Sequence, residues 1–179
     1  MGTSRGYDFD HLVAASLPPN TLLFIKVNIL IDQNHRARLT DFGLVTIDPD
    51  PTNLANSSSF QAGGTVRWMS PELISPEQFG YKDCRPTKES DCYALGMVIL
   101  EVLSGKVPFQ RYPDFLVIVK VIEGIRPKRP GGGLFTNELW GILGQCWAAQ
   151  PGSRPSIEVV LKCLGRVSRT WVPPPSPGG

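Results

Sequence analysis

The sequence lacks several features that would assign the chain directly to a function class. Its four cysteines contain no C-x-x-C pair, so we expect buried free thiols in a reducing compartment, with neither a metal site nor a disulfide framework. Charge of one sign is also scarce: the net charge is only +2, and the lysines and arginines are scattered. This balance argues against nucleic acid or an anionic membrane as the main partner.

Targeting and membrane-spanning segments are missing as well. The first residues show no charged region followed by an apolar one, so no secretory signal is expected. The most apolar stretch, from Thr87 to Gly105, falls short of the about 20 predominantly apolar residues that span a bilayer, and Asp91 and Glu101 interrupt it. We therefore expect a cytoplasmic protein with no membrane span. A length of 179 residues predicts one domain with a real core.

The same stretch, from Thr87 to Gly105, predicts a helix around which the other segments pack. It is apolar on almost every face, which is typical of a central buried helix. Thr87 precedes the helix, and Gly105 stops it. Asp91 falls in its first turn, where a carboxylate favours the helix dipole. A carboxylate beside a buried helix also needs hydrogen-bond donors from another segment.

Shorter patterned segments surround this helix. An apolar, β-prone run followed by a turn predicts a β-hairpin over about Ile29 to Thr40. Pro71 begins a short helix. Three further helices are predicted over about Asp114–Glu123, over Glu138–Trp147, and after the capping residue Ser156. The fold prediction is mainly α with one small hairpin; residues 1–20 are weakly patterned, and the Pro/Gly tail over 172–179 is expected to be disordered or extended.

An ordered series of motifs joins the hairpin to the helices. Asp41-Phe42-Gly43 follows the hairpin, a long polar run comes next, and the motif G-T-V-R-W-M-S-P-E over residues 64–72 closes that run. Further matching segments are Gly105-Lys106-Val107-Pro108-Phe109, Cys146-Trp147 and Pro151-Gly152-Ser153-Arg154-Pro155. In this order the motifs resemble the C-terminal lobe of a protein kinase, closest to the tyrosine-kinase-like group of Ser/Thr kinases. The resemblance implies a helical lobe over residues 21–171, with the N-terminal β lobe of the family absent.

The resemblance also implies a nucleotide site and a regulated loop. Phosphoryl transfer uses Mg²⁺ ions, which need hard oxygen ligands. The family positions for these ligands match Asn28 and Asp41, which the hairpin would bring to one edge, and the implied cofactors are ATP and Mg²⁺. Thr65 matches the family Thr that contacts the catalytic Asp and Lys in Ser/Thr kinases. The activation segment would include Phe42, Gly43, Ser57, Ser58, Ser59, Thr65 and Glu72.

Other residues that the family needs for catalysis are changed or missing. Counting back from Asn28, the position of the catalytic Asp holds Leu23, and a leucine cannot accept a substrate hydroxyl proton. No G-x-G-x-x-G run and no matching strand Lys occur in the sequence. The switch to the family pattern near Val27 is typical of a splice or gene-model boundary. A transcript that reads continuously through it would instead indicate a genuine pseudokinase.

Two functions therefore stay open. The first is ATP-dependent Ser/Thr phosphorylation in signalling, of which this chain would be a truncated and inactive representative. The second is a non-catalytic, pseudokinase-like module that binds a protein through the helix over Asp114–Glu123 and the polar loop. An intact catalytic loop and a Gly-rich lobe in a longer transcript would favour the first. A monomer is expected for both.

Single side chains carry further predictions. Glu72 and Arg154 are lone charges amid apolar helices, and each matches a family position, so we predict that they form a buried ion pair. Asp91 is predicted to accept hydrogen bonds from the backbone near the changed catalytic loop. The run from Asp48 to Ala62 is predicted to be mobile and modifiable, and Arg67 would meet a phosphate on one of its three serines.

Overall fold

The computed structural model describes residues 29–31, 37–39, 66–82, 85–131 and 133–170. This part of the chain is mainly helical, as predicted. The strands are β1 (Ile29–Ile31) and β2 (Ala37–Leu39). The helices are α1 (Pro71–Ile74), α2 (Lys88–Ser104), α3 (Asp114–Ile122), α4 (Asn137–Cys146) and α5 (Ile157–Thr170), with 3₁₀ turns at Pro76–Phe79 and Pro151–Ser153. Among these described helices, none is long and apolar enough to cross a membrane.

The two strands pair as the predicted hairpin. They run antiparallel, with Ile29 opposite Leu39, Leu30 opposite Arg38 and Ile31 opposite Ala37. The apolar, partly β-branched strand residues suit a pleated ladder, which is why the pattern could be recognised in the sequence. The register confirms the predicted position of the hairpin.

Helix α2 forms the centre of the described core, as its apolar sequence predicted. At its start the Thr87 side chain accepts a hydrogen bond from the Ser90 N–H, and Ser90 Oγ accepts one from the Thr87 N–H. At its end Gly105 has a φ of 67°, a left-handed conformation that glycine adopts without steric cost. Tyr93 and Met97 are fully buried. The predicted bounds of the helix are therefore confirmed.

Helices α4 and α5 cover one side of this core. Helix α4 packs against both α2 and α5. The approach to α2 is close at Gly96, where a Cβ would lie only 2.7 Å from Trp147 Nε1. On α5 the buried residues recur three and four positions apart, the spacing of one helix face; they are Val160, Cys163, Leu164 and Val167.

Helix α3 is only partly covered by the rest of the chain. Val117 and Val121 are buried, whereas Phe115 is 70% exposed and Val119 is 44% exposed. The helix contacts α1. It ends at Ile122, one residue before the predicted end, and Gly124 follows with a φ of 79°. The amphipathic pattern predicted for this segment is thus present, but part of its apolar surface faces solvent.

Candidate functional site

A buried ion pair lies beneath the segment that ends in Ser70-Pro71-Glu72. Arg154 Nη1 is 2.6 Å from Glu72 Oε1, and Arg154 Nη2 is 2.7 Å from Glu72 Oε2. Glu72 belongs to α1, and its side chain is only 3% exposed, while that of Arg154 is fully buried. Burial raises the pKa of Glu72, but the hydrogen bonds and the charge of Arg154, together with hydrogen bonds from the Glu72 backbone and from Ser70, outweigh burial and hold the pKa below its ordinary value of 4.5. The predicted ion pair is confirmed.

Arg154 also joins two further segments to this pair. Its Nε donates to the Ala148 carbonyl at 3.0 Å, and its Nη1 donates to the Glu89 carbonyl at 2.9 Å. Ala148 follows α4, and Glu89 lies in the first turn of α2. A single guanidinium therefore ties α1, the start of α2 and the turn after α4 together.

Two guanidinium groups lie over the ring of Tyr93. Its ring centroid is 5.1 Å from Arg154 Cζ and 5.5 Å from Arg126 Cζ. Arg126 donates to the carbonyls of Trp147 at 2.8 Å and Val121 at 3.0 Å, so it links the end of α3 to the end of α4. Burial raises the pKa of Tyr93 to about 12, although both guanidinium charges act in the opposite direction. The phenol is therefore neutral and serves as packing.

A second buried carboxylate lies in the last turn of α2. Glu101 is only 5% exposed, and its Oε2 accepts a hydrogen bond of 2.9 Å from Trp68 Nε1. The sequence reasoning counted Glu101 merely as a charge that excludes a membrane span. Two signals in the sequence could have linked Glu101 to Trp68. Glu101 lies in an apolar run, where a buried carboxylate needs a donor, and the motif over 64–72 contains a Trp that can donate.

The side chain of Arg67 is already engaged within the fold. Arg67 Nη1 donates to the carbonyls of Pro108 and Phe109, and Arg67 Nη2 donates to the carbonyl of Tyr112. The same Nη2 is 2.7 Å from Asp114 Oδ1. Both terminal nitrogens thus have partners within the described fold. The three serines lie outside the described ranges, so the pairing of Arg67 with a phosphate on one of them stays a prediction.

A shallow cleft opens beside the ion pair. It encloses about 300 Å³ and is lined by Glu72, Tyr81, Lys82, Arg85 and Thr87. Its lining includes two exposed basic residues, Lys82 and Arg85, and the carboxylate of Glu72 that pairs with Arg154. The described residues include no group of three or more His, Cys, Asp or Glu side chains that could hold a metal ion.

Most of the residues predicted from the resemblance lie outside the described ranges. These are Leu23, Asn28, Asp41, Phe42, Gly43, Ser57, Ser58, Ser59 and Thr65, together with the predicted mobile run over 48–62. The pairing of the strands concerns two of these residues, Asn28 and Asp41. Ile29, which follows Asn28, pairs with Leu39, which precedes Asp41 by two residues. The activation-segment assignment and the ligand assignments stay predictions.

Asp91 differs from the sequence expectation in its surroundings. It lies in the first turn of α2, as predicted, but the residue is exposed. Partial desolvation nevertheless raises the pKa of its carboxyl above 3.8, and no described residue donates a hydrogen bond to it. The donors predicted near the changed catalytic loop lie outside the described ranges, so that interaction stays a prediction.

The cysteines agree with the sequence expectation where they can be seen. Cys92, Cys146 and Cys163 are free and buried, and Cys84 lies outside the described ranges. Burial raises the pKa of all three described thiols, which keeps them protonated and unreactive.

Comparisons with known proteins complete the description of the site. The model of the family "Protein tyrosine and serine/threonine kinase" matches residues 25–164. A serine/threonine-protein kinase/receptor of Acanthamoeba polyphaga mimivirus is 30% identical over 91% of this chain and 9% of its own length. The dual specificity protein kinase shkC of Dictyostelium discoideum is 31% identical over 78% of this chain and 26% of its own length.

A third relative is an animal protein. The tyrosine-protein kinase Src64B of Drosophila melanogaster is 30% identical over 73% of this chain and 22% of its own length. The chain therefore spans between 9% and 26% of the length of these three relatives.

Proposed function

Because this chain belongs to the protein tyrosine and serine/threonine kinase family, we propose that residues 21–171 are the helical lobe of a Ser/Thr protein kinase domain of the tyrosine-kinase-like group. The observation that carries this proposal is the buried pair between Glu72 and Arg154. It joins the motif over 64–72 to the segment after α4, and both segments match the family. In this proposal residues 1–20 and 172–179 lie outside the lobe.

The helical lobe would act as the platform for a substrate-binding segment. In the proposed assignment Phe42 and Gly43 begin the activation segment, Ser57, Ser58, Ser59 and Thr65 lie along it, and Glu72 ends it. The contacts of Glu72 with Arg154 and of Trp68 with Glu101 attach the last part of this segment to the core. A fixed end is what a regulated loop needs, because its remaining residues can then change conformation without disturbing the lobe.

ATP and Mg²⁺ are the cofactors that the family uses, and we assign their contacts here to Asn28 and Asp41. An amide oxygen and a carboxylate oxygen are hard ligands of the kind that Mg²⁺ requires. The pairing of Ile29 with Leu39 supports the assignment, since the strand ends next to these two residues are neighbours. When bound, the metal would neutralise charge on the phosphates.

We further propose that the 179-residue polypeptide does not transfer phosphate. Leu23 replaces the catalytic Asp, so the substrate hydroxyl is not oriented, an effect worth on the order of 10²–10⁴-fold. The polypeptide also contains no G-x-G-x-x-G run to cover a nucleotide, and positioning supplies about 7–11 kcal/mol of barrier reduction in the best cases.

A non-catalytic binding module is the second candidate, and one observation favours it. Helix α3 and its flanks expose four large apolar side chains on a chain whose predicted catalytic residues are changed; they are Tyr112, Phe115, Val119 and Ile125. Exposed apolar patches mark interaction sites for proteins. In this alternative a monomeric, cytoplasmic chain binds a protein partner through α3, and the buried free thiols are consistent with a reducing compartment.

The inactive assignment is tested by a labelled-ATP phosphorylation assay with a generic basic protein as acceptor. The purified chain, Leu23→Asp and Asp41→Ala are compared at equal concentration. We expect no turnover from any of them, because restoring the base alone supplies no nucleotide cover. Turnover by the unmodified chain above the Asp41→Ala control would make it an active enzyme and would contradict the inactive assignment.

A further inference from the structure

The turn that contains Arg67 is bonded to a distant loop by several strong contacts. We call residues 108–112 the 108–112 loop; it connects the end of α2 to α3. Arg67 Nη1 donates to the Pro108 carbonyl at 2.9 Å and to the Phe109 carbonyl at 3.0 Å, and Nη2 donates to the Tyr112 carbonyl at 2.8 Å. Hydrogen bonds from a charged donor are stronger than neutral ones. Three of them from one guanidinium fix the shape of the loop.

The 108–112 loop is held in a strained backbone conformation. Phe109 has a φ of 55°, a left-handed conformation that a bulky residue rarely adopts. Its side chain is nearly buried, and its carbonyl accepts bonds from both Arg67 and the Tyr112 N–H. The bonds to that carbonyl offset the cost of the backbone conformation. Removing the guanidinium would therefore let the loop relax.

The loop leads straight into the exposed helix. Pro113 precedes α3 and provides no side-chain cap, so the first turn of α3 depends on Asp114. Asp114 is 52% exposed, whereas its partner Arg67 is only 15% exposed and holds the carboxylate at 2.7 Å. Phe115 is the next residue, so its position is set by the side chain of Arg67, which lies 48 residues earlier in the sequence.

We propose that Arg67 is a latch that couples the turn at Val66–Met69 to the 108–112 loop and to the exposed apolar face of α3. Displacement of the turn releases the loop and the first turn of α3, and disturbance at Asp114 releases the turn. Under the proposed function, this latch connects the end of the activation segment with the protein-binding surface. The coupling itself does not depend on phosphoryl transfer.

Amide hydrogen exchange on the full chain tests the forward direction. In Arg67→Gln we expect exchange over residues 109–119 to accelerate by about tenfold or more, with exchange in α4 and α5 unchanged. Arg67→Lys keeps the charge but cannot reach all the carbonyls, so it should be intermediate. Arg111→Gln is the matched control, because Arg111 is exposed in the same loop. Equal exchange in Arg67→Gln and Arg111→Gln would overturn the latch.

Limited trypsin digestion tests the reverse direction. Asp114→Asn leaves Arg67 in place, and we expect faster cleavage after Arg67 in this variant, while cleavage after the exposed Lys88 keeps its rate. An unchanged rate after Arg67 would show that the turn does not respond to α3 and would also overturn the proposal. If Arg67→Gln does not fold, Arg67→Lys and Asp114→Asn carry both tests. Failure of the latch leaves the kinase assignment untouched, and an active enzyme in the phosphorylation assay leaves the latch untouched.

Discussion

Glu72 and Arg154 form a charge pair inside the core, and its contribution depends on keeping both partners. We predict that Glu72→Gln lowers the free energy of unfolding by about 3–5 kcal/mol, because Arg154 is then left buried without a counter-charge. Arg154→Met should cost more, since the carbonyls of Ala148 and Glu89 also lose their donor. Urea unfolding measures both. Glu123→Gln, which breaks the exposed pair with Lys120, is the control and should change little.

The same pair predicts how stability depends on pH. The pKa of Glu72 in the folded chain is lowered from 4.5, so its contribution is fully present above that value and is lost as the pH falls through the folded pKa. The Glu72→Gln variant has no carboxylate at this position, so protonation there cannot lower its stability. The difference in unfolding free energy between the two proteins should therefore narrow below pH 4.5. A constant difference down to the acid transition would contradict the pairing.

Two glycines on neighbouring helices should respond to alanine with opposite signs. A Cβ at Gly96 would meet Trp147 Nε1 at 2.7 Å and Cys146 Cβ at 2.9 Å, so Gly96→Ala should destabilise by about 1–3 kcal/mol. A Cβ at Gly144 meets nothing within 4 Å on an exposed face of α4. Gly144→Ala should therefore stabilise by about 0.5–1 kcal/mol through helix propensity. Thermal unfolding of both variants is the measurement, and a stabilising Gly96→Ala would disprove the close approach.

At the residue scale, the sequence could predict pairs of unlike charges but not bonds to the backbone. Glu72 and Arg154 were paired correctly because each is a lone charge among apolar neighbours. Arg126 bonds to carbonyls, and so does Arg67 apart from its pair with Asp114; every residue carries a carbonyl, so no sequence pattern points to these bonds. For the same reason the contacts of Arg67 with the carbonyls of Pro108, Phe109 and Tyr112 could not be predicted.

At the element scale, the start of α2 depends on a reciprocal pair of hydrogen bonds between Thr87 and Ser90. We predict that Thr87→Ala destabilises the chain by about 0.5–2 kcal/mol, because N–H groups of the first turn lose their acceptor. Thr87→Ser, which keeps the hydroxyl, should restore most of the loss. Chemical denaturation compares the three proteins. Equal stability of Thr87→Ala and the parent would show that water replaces the cap without cost.

Helices with clear capping and terminating residues could be predicted from the sequence, whereas features that depend on tertiary contacts could not. The bounds of α2 agree with the prediction because Thr87 and Gly105 mark its ends. The 3₁₀ turns at Pro76–Phe79 and Pro151–Ser153 were not predicted, since short turns carry little hydrophobic periodicity. The exposure of Phe115 was also invisible in the sequence, where an amphipathic pattern shows an apolar face but not whether anything covers it.

At the scale of the whole molecule, the order of motifs predicted the family although no single motif could. The resemblance was assigned to residues 21–171, and the family model matches 25–164. Membership of the family does not by itself establish the activity or the substrate of this chain. The chain spans at most 26% of the three relatives described, and their names range over serine/threonine, dual specificity and tyrosine kinases. The class of substrate therefore stays a proposal for this chain.

The described thiols supply a test of the whole fold. Cys92 and Cys146 are at most 1% exposed and Cys163 is 3% exposed, and they come from three different helices. Burial raises the pKa of each, so little of the reactive thiolate forms at mildly alkaline pH. Reagent can reach them together only when the core opens.

We therefore predict that a Cys84→Ser variant does not react with a colorimetric aromatic disulfide reagent while it is folded, and that three thiols react in urea. The native rate should be on the order of 10³-fold or more below the rate of the unfolded chain, since marginally stable domains keep a small unfolded fraction. Cys84 lies outside the described ranges, so its replacement leaves only the three described thiols to react. Gly96→Ala, which disturbs the contact with Cys146, should raise the native rate in proportion to its loss of stability. Rapid labelling of one thiol in the folded variant, with the other two protected, would show that the helices do not open as a unit.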